Sequence, residues 1–258
     1  MKTSPTPTPS PTPADIITQR QYDEYAANWV AASSDPAGTV LAQSFRLGKN
    51  KPLLASLRFP ARQIARLVST VGAVHIKARF LIKVDAKTKE PHFTAALFAT
   101  DALGTRLSSY YLADEYWLTK SSPKPVLKKT AAAARIQPTA VRTFTRTDVP
   151  DVLSQLWMAA WAAITVATPP LFATTYGPLR GYTYEVNEFI IPLRPVPFKY
   201  LDDESLLLEF GLHEYYRSEP QGEALVQTFG LLLKLESNKM QGGDDPSVNM
   251  GSPCPPVC

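Results

Sequence analysis

The chain has 258 residues, of which 45% are hydrophobic and 19% are charged, and it carries two cysteines. This composition allows a substantial buried core and excludes a small disulfide-stabilised scaffold. The net charge of +4 is unevenly distributed, because the first 180 residues hold 22 Lys and Arg against 11 Asp and Glu, and the rest hold 5 against 12. The first part of the chain is therefore basic and the second part acidic.

Residues 1–14 are rich in proline and threonine and contain no apolar segment of the kind found in a secretory signal. This composition predicts a disordered linker with polyproline II character. Because no signal peptide is visible, the sequence favours a cytoplasmic protein.

The residues around Thr18 predict the start of the first helix. Thr18 is placed to cap it, Gln21 follows three residues later as in a capping box, and Ile17 can pack against Tyr22. Apolar residues then recur at helical spacing and predict one packing face. These are Tyr22, Tyr25, Ala26, Trp29 and Val30.

Short elements follow this helix. Residues 40–47 and 53–59 are predicted as strands, and residues 61–71 as a helix with Pro60 in its first turn and Gly72 at its C-terminal cap.

The sequence next predicts a β-hairpin from two alternating segments. Residues 74–84 place apolar side chains on one face, and residues 93–99 do the same. Matching the apolar faces pairs Val84 with Phe93 and Phe80 with Leu97, and leaves an eight-residue loop.

Residues 206–216 and 225–235 predict a second hairpin, again with an eight-residue loop that contains Glu-Pro. The similarity of the two hairpins raises a diverged duplication as one interpretation.

A segment that begins near Asp148 predicts a helix whose apolar residues surround its axis. This distribution indicates a helix buried on several sides, and an oligomer interface or a membrane span are the alternatives. Gln155 interrupts the segment, and the apolar run after it is shorter than the roughly 20 residues that a span requires. No membrane span is therefore expected.

Together these elements predict an α+β fold, with antiparallel hairpin-rich sheets and packed helices in one or two lobes. The predicted divisions after the first linker are a lobe at 15–117, a basic linker or long loop at 118–148, a helix and hairpin lobe at 149–237, and a flexible tail at 238–258.

The three histidines do not predict a catalytic or metal site. His75 and His92 are about 33 Å apart along the predicted hairpin and cannot share a metal. His92 is expected opposite Asp85, as a solvated pair, and His213 is expected on the surface. Nucleophile and nucleotide-binding motifs are missing, so the sequence favours a protein that is not an enzyme and has no cofactor.

The one tight acidic cluster in the folded part is Asp202-Asp203-Glu204. Adjacent carboxylates on an extended chain point in opposite directions and make a poor cation cage, so no metal site is predicted.

Five basic residues predict a polyanion-binding strip. Arg62 and Arg66 are neighbours on the predicted helix, and Lys77, Arg79 and Lys83 share the non-core face of the next strand. If that face is open to water, it attracts nucleic acid or another polyanion.

Cys254 and Cys258 flank a Pro-Pro pair at the end of the chain. Their spacing differs from that of dithiol redox enzymes, and they supply two of the four ligands of a structural zinc site. A small disulfide loop, two free thiols or an intermolecular contact remain open.

The N-terminal helix, the RFP segment that leads into a helix, the strand VHIKARFLIKV and the terminal CPPVC resemble a set of small bacterial proteins without known activity. The resemblance implies a helix–hairpin core and no particular site. The sequence thus favours a non-enzymatic binding or interaction protein, with a nucleic-acid or polyanion binder and an enzyme with an unrecognised site as alternatives.

Overall fold

The computed structural model describes residues 15–46, 52–114, 148–174, 177–194, 196–219, 222–236, 248–250 and 252–253. Within them the α-helices are α1 (Gln19–Ser34), α2 (Thr39–Ser44), α3 (Ala61–Val68), α4 (Asp151–Ala163) and α5 (Val186–Leu193). Short 3₁₀ turns lie at Pro169–Phe172 and Phe198–Tyr200. The strands are β1 (Ile16–Ile17), β2 (Ser56–Pro60), β3 (His75–Val84), β4 (Pro91–Thr100), β5 (Tyr110–Leu112), β6 (Asp148–Val149), β7 (Ala173–Thr174), β8 (Gly177–Pro178), β9 (Gly181–Glu185), β10 (Ser205–Glu219), β11 (Gly222–Glu236), β12 (Val248–Met250) and β13 (Ser252–Pro253).

The described strands form two main sheets. One has the order β1-β5-β4-β3-β9-β13, and the other has the order β2-β10-β11-β12-β6. Strands β7 and β8 form a separate pair. All pairings among these strands are antiparallel. The predicted α+β class with antiparallel hairpins and packed helices is confirmed.

Both halves of the chain contribute to both sheets. Strand β9 pairs with β3 of the first predicted lobe, and β2 pairs with β10 of the second. The segment predicted as a flexible tail adds β12 beside β11 and β13 beside β9. Strand pairing is a long-range contact that a local pattern does not reveal, so the composition of 238–258 gave no sign of these two strands.

Aromatic side chains fill the main core and join the two sheets. Phe80 on β3 lies 5.6 Å from Phe229 on β11, and Phe93 on β4 lies 5.6 Å from Phe210 on β10, measured between ring centroids. Tyr182 on β9 donates a hydrogen bond from its hydroxyl to the carbonyl of Phe229. These edge-on ring contacts bury large apolar areas and fix the sheets against each other.

The predicted cap of α1 is confirmed. The Thr18 hydroxyl accepts a hydrogen bond from the Gln21 backbone at 3.3 Å, and the Gln21 side chain accepts one from the Thr18 backbone at 3.0 Å. The residues of the predicted packing face enter two different clusters. Tyr22 packs against a small cluster on β4 and β5, and Trp29 lies in the main core.

The prediction of a strand at 40–47 is wrong, because residues Thr39–Ser44 form the short helix α2. Leu41 and Phe45 are four residues apart and both are fully buried, which is the spacing of one helical face. The apolar segment is so short that its periodicity does not distinguish a helix from a strand.

The predicted register of the first hairpin is wrong by two residues. Phe80 pairs with Ala95 and Ile82 pairs with Phe93. A shift of two keeps every side chain on its predicted face, so the face pattern alone cannot detect it. The turn selects the register, because the Asp85 side chain accepts hydrogen bonds from the backbones of Lys87 and Thr88 at 2.7 Å.

Three further predictions lie outside the described residues. These are the linker at 1–14, residues 118–147 of the basic linker, and the cysteines Cys254 and Cys258. Among the helices of the described residues, none combines the length and the apolar character needed to cross a bilayer.

Candidate interaction surface

Helix α4 contacts a small cluster near its N-terminal end and the main core near its C-terminal end. It begins directly after Val149, which packs with Leu232 in a small cluster, and Trp157 and Met158 pack against that cluster. Near its C-terminal end, Trp161 enters the main core and donates a hydrogen bond from its indole to the carbonyl of Leu54 at 2.9 Å. The two tryptophans, one helical turn apart, therefore hold one side of α4 against the fold.

Two glycines leave room for α4 and for the His213 side chain against the backbone of the sheet. Gly211 and Gly230 are cross-strand partners on β10 and β11. A Cβ at Gly211 would lie 2.9 Å from the Cβ of Trp157, and a Cβ at Gly230 would lie 2.0 Å from Nε2 of His213. Glycine inside a strand often marks such a close approach. This glycine pair is the feature of the sequence that could have indicated the contact between α4 and the β10–β11 hairpin.

His213 does not lie on the surface as predicted. Its ring stacks on Trp157, and its Nε2 atom is buried without a hydrogen-bond partner among the described residues. Desolvation by burial lowers the pKa of His213 from 6.5 to about 4. The imidazole is therefore neutral at pH 7 and acts as a packing group under α4.

The opposite side of α4 is apolar and open to solvent. Val152 is 72% exposed and Leu156 is 59% exposed, and Ala159 and Ala163 are exposed as well. We call these four residues the outer face of α4. Asp151 is the single charged residue of the helix. The prediction of a helix buried on several sides is wrong for this side, because apolar periodicity around the axis does not say which sides the fold covers.

A second exposed apolar area lies near the end of the β10–β11 hairpin. Tyr216 pairs with Leu225 across the strands, and their side chains are 70% and 56% exposed. Exposed tyrosines are common on strand surfaces, so this area is a weaker indication of a binding surface than the outer face of α4.

The five basic residues predicted to bind a polyanion do not form one open strip. Arg62 and Arg66 lie on α3, and the Arg62 guanidinium forms a bidentate ion pair with Asp202. The ion pair raises the pKa of Arg62 and lowers the pKa of Asp202. One of the predicted cations is thus already neutralised by an acidic residue of the second half.

The other three basic residues lie on β3, on the face that α1 covers. Leu81 on that face is fully buried, in a cluster to which Tyr22 and Tyr25 of α1 pack. Lys77 is 8% exposed, and burial lowers the pKa of Lys83. Arg79, between them, is half-buried. The face is therefore partly closed to a large ligand.

The residues considered for catalysis or metal binding are dispersed. His92 pairs with Lys83 and not with Asp85, and burial lowers the pKa of His92. His75 lies at the other end of β3, opposite Thr100. Within the described residues, no group of three or more His, Cys, Asp or Glu side chains is arranged to hold a metal ion.

A surface groove of about 430 Å³ lies between the turn after α1 and residues 166–170. Its lining is mostly small and apolar, and Arg46 is its charged residue. The Arg46 guanidinium donates a hydrogen bond to the carbonyl of Thr165 at 2.7 Å. The lining residues include no histidine or carboxylate, so the groove offers no acid–base pair.

Comparison with protein families, curated proteins and solved structures found no match.

Proposed function

We propose that this chain is a non-enzymatic interaction protein that binds an apolar helix of a partner protein on the outer face of α4. The observation that carries the proposal is the exposure of Val152 and Leu156 on a helix whose other side is already packed. A contiguous apolar area on a folded surface is typical of a site that a partner covers.

The energetic scale supports a binding role. Complete burial of a Val or Leu side chain contributes about 1.5–3 kcal/mol relative to exposure. Val152 and Leu156 are more than half exposed, so most of this burial energy is not realised in the free protein. A partner that covers both side chains realises it on binding.

The spacing of the outer face indicates that the partner element is a helix. Its four residues follow each other at intervals of four, three and four, which is the spacing of the apolar seam in a coiled coil. Ala159 and Ala163 are small, so a second helix can approach closely at the C-terminal half of α4. Helix recognition through such regularly spaced anchors is common among interaction proteins.

A polyanion binder and an enzyme with an unrecognised site have less support. The five basic residues predicted to bind a polyanion are divided between α3 and a face of β3 that α1 partly covers. An enzyme requires convergent catalytic groups, and the described histidines lie apart from one another.

The test uses a fluorescently labelled amphipathic helical peptide with leucines at the same spacing on one face. We expect saturable binding to the full chain by fluorescence anisotropy, and its loss in Leu156→Glu, since a carboxylate on the seam must be desolvated. Leu103→Glu is the matched control, because Leu103 is 92% exposed and lies in the turn between β4 and β5. Absence of binding to the unaltered chain, or equal loss in both variants, would overturn the proposal.

A further inference from the structure

We infer that the helix bound by the outer face is α4 of a second copy of this chain, packed antiparallel about a two-fold axis. This inference rests on the proposed function and names its partner. It follows from the order of large and small residues along α4.

The outer face is complementary to itself when reversed. Its N-terminal half carries the large residues Val152 and Leu156, and its C-terminal half carries the small residues Ala159 and Ala163. In an antiparallel pair centred between positions 157 and 158, Leu156 lies opposite Ala159 of the second copy, and Val152 lies opposite Ala163. Each large side chain then meets a small one, which is the arrangement that fills the space between two helices.

A parallel pair lacks this complementarity. It would place Leu156 against the same leucine of the second copy and the alanines against each other, which leaves a gap at the C-terminal half.

The residues that flank the seam agree with self-association. In the antiparallel arrangement Leu153 lies beside Ala160 of the second copy, and Gln155 lies beside Ala162. All of these side chains are uncharged, so the pairing of the two helices brings no like charges together along the seam. A two-fold axis also makes the contact close on itself, which gives a dimer and not a filament.

The size of the contact sets the expected affinity. A helix of 13 residues is about 20 Å long, and a single helix pair of this length buries less than the roughly 1,200 Å² of a standard interface. We therefore expect a weak dimer with a dissociation constant of about 1–100 μM. The dimer is consistent with a chain that folds around its own core and associates by one added helix contact.

Sedimentation velocity of the full chain over a range of concentrations measures the association. Cys254→Ser and Cys258→Ser are introduced in every sample, so that tail thiols cannot link two copies. We expect a reversible monomer–dimer equilibrium, and a monomer in Leu156→Glu. Leu103→Glu should dimerise as the parent does. The urea midpoint of each variant is measured, and an unchanged midpoint shows that loss of the dimer is not loss of the fold.

Ala159→Leu separates the specific seam from general hydrophobic association. The new leucine lies opposite Leu156 of the second copy and overfills the contact, so the dissociation constant should rise by about tenfold or more. Tighter association in this more apolar variant would overturn the inference, because it would show that apolar area and not the large-to-small order drives the contact.

Cross-linking determines the orientation. Val152→Cys and Ala163→Cys are made in separate populations that lack the tail cysteines, and the populations are oxidised alone and mixed. The antiparallel pair predicts a disulfide-linked dimer in the mixture and not in either population alone, since equivalent positions lie about 16 Å apart along the axis. Self-cross-linking of each population would contradict it. A monomer at all concentrations that still binds the labelled peptide would overturn this inference and leave the proposed function standing, whereas loss of both would overturn both.

Discussion

The imidazole of His213 stacks on the indole of Trp157, with ring centroids 4.0 Å apart and ring planes inclined by 26°. This contact joins α4 to the β10–β11 hairpin at the point where Gly211 and Gly230 leave room for it. The stack therefore helps to fix the helix that carries the outer face.

The stability of the fold should depend on pH through His213. The pKa of His213 is about 4 in the folded protein and about 6.5 in the unfolded chain, so the unfolded chain binds the proton more strongly. Its contribution to the free energy of unfolding is complete above pH 6.5 and is lost as the pH falls from 6.5 to 4. Because the ring is partly exposed and solvent screens the charge, we expect a loss of about 1–3 kcal/mol.

Urea denaturation between pH 7.5 and pH 4 measures this dependence. His213→Phe keeps an aromatic ring over Trp157 without a titrating group, and it should remove most of the slope. Since His92 also has a lowered pKa, His92→Gln is the control and should change the slope less. An equal pH dependence in His213→Phe and the parent chain would refute the assignment.

Gly230→Ala should destabilise the fold by displacing His213. A Cβ at Gly230 would lie 2.0 Å from Nε2, so the ring must leave its position against Trp157. We expect a loss of about 1–3 kcal/mol in the free energy of unfolding. In a His213→Ala background the same substitution should cost much less, and a double-mutant cycle measures the difference. Additive effects would show that the two residues do not interact.

Gly181→Ala should be among the most damaging single substitutions. Gly181 has φ +143°, and a Cβ there would lie 2.0 Å from the carbonyl oxygen of Ala78 on the adjacent strand. Backbone atoms cannot move aside as a flexible side chain can, so we expect a loss above about 3 kcal/mol or failure to fold. Gly72→Ala is the matched control, because φ is also positive but the nearest atom is 3.7 Å away. Equal losses in thermal denaturation would contradict the clash.

Thr18→Ala should weaken α1 through its cap. The substitution removes the hydroxyl that accepts from the Gln21 backbone, and caps of this kind contribute about 1 kcal/mol. Thr18→Ser retains the hydroxyl and should lose little. Urea midpoints of the two variants measure the cap, and a larger loss in Thr18→Ser would count against it.

The sequence predicted those elements whose local chemistry is specific. The capping box of α1 and the alternation in both hairpins determine structure within a few residues, and they were confirmed. The eight-residue loop predicted for the second hairpin is wrong, because β10 and β11 pair as far as Glu219 and Gly222. The two-residue error in the first hairpin arose because the face pattern repeats every two residues and the Asp85 turn was not recognised.

Long-range relations could not be predicted in the same way. Strand β9 ends at Glu185, and α5 begins at Val186 although Glu185 makes no side-chain capping hydrogen bond. The strand is defined by its pairing with β3, which lies about 100 residues earlier in the chain. The apolar character of α4 was recognised, but which side would be covered depends on where the β10–β11 sheet lies. The outer face therefore became visible only in the folded chain.

Methyl NMR of the full chain during titration with the labelled peptide shows where a partner helix binds. We expect the methyl signals of Val152 and Leu156 to shift with a common dissociation constant, while those of Val71 and Leu103, which are as exposed or more so, stay in place. Shifts centred on Val71, Leu103 or Leu225, or no shifts at saturating peptide, would show that the outer face of α4 is not the binding site.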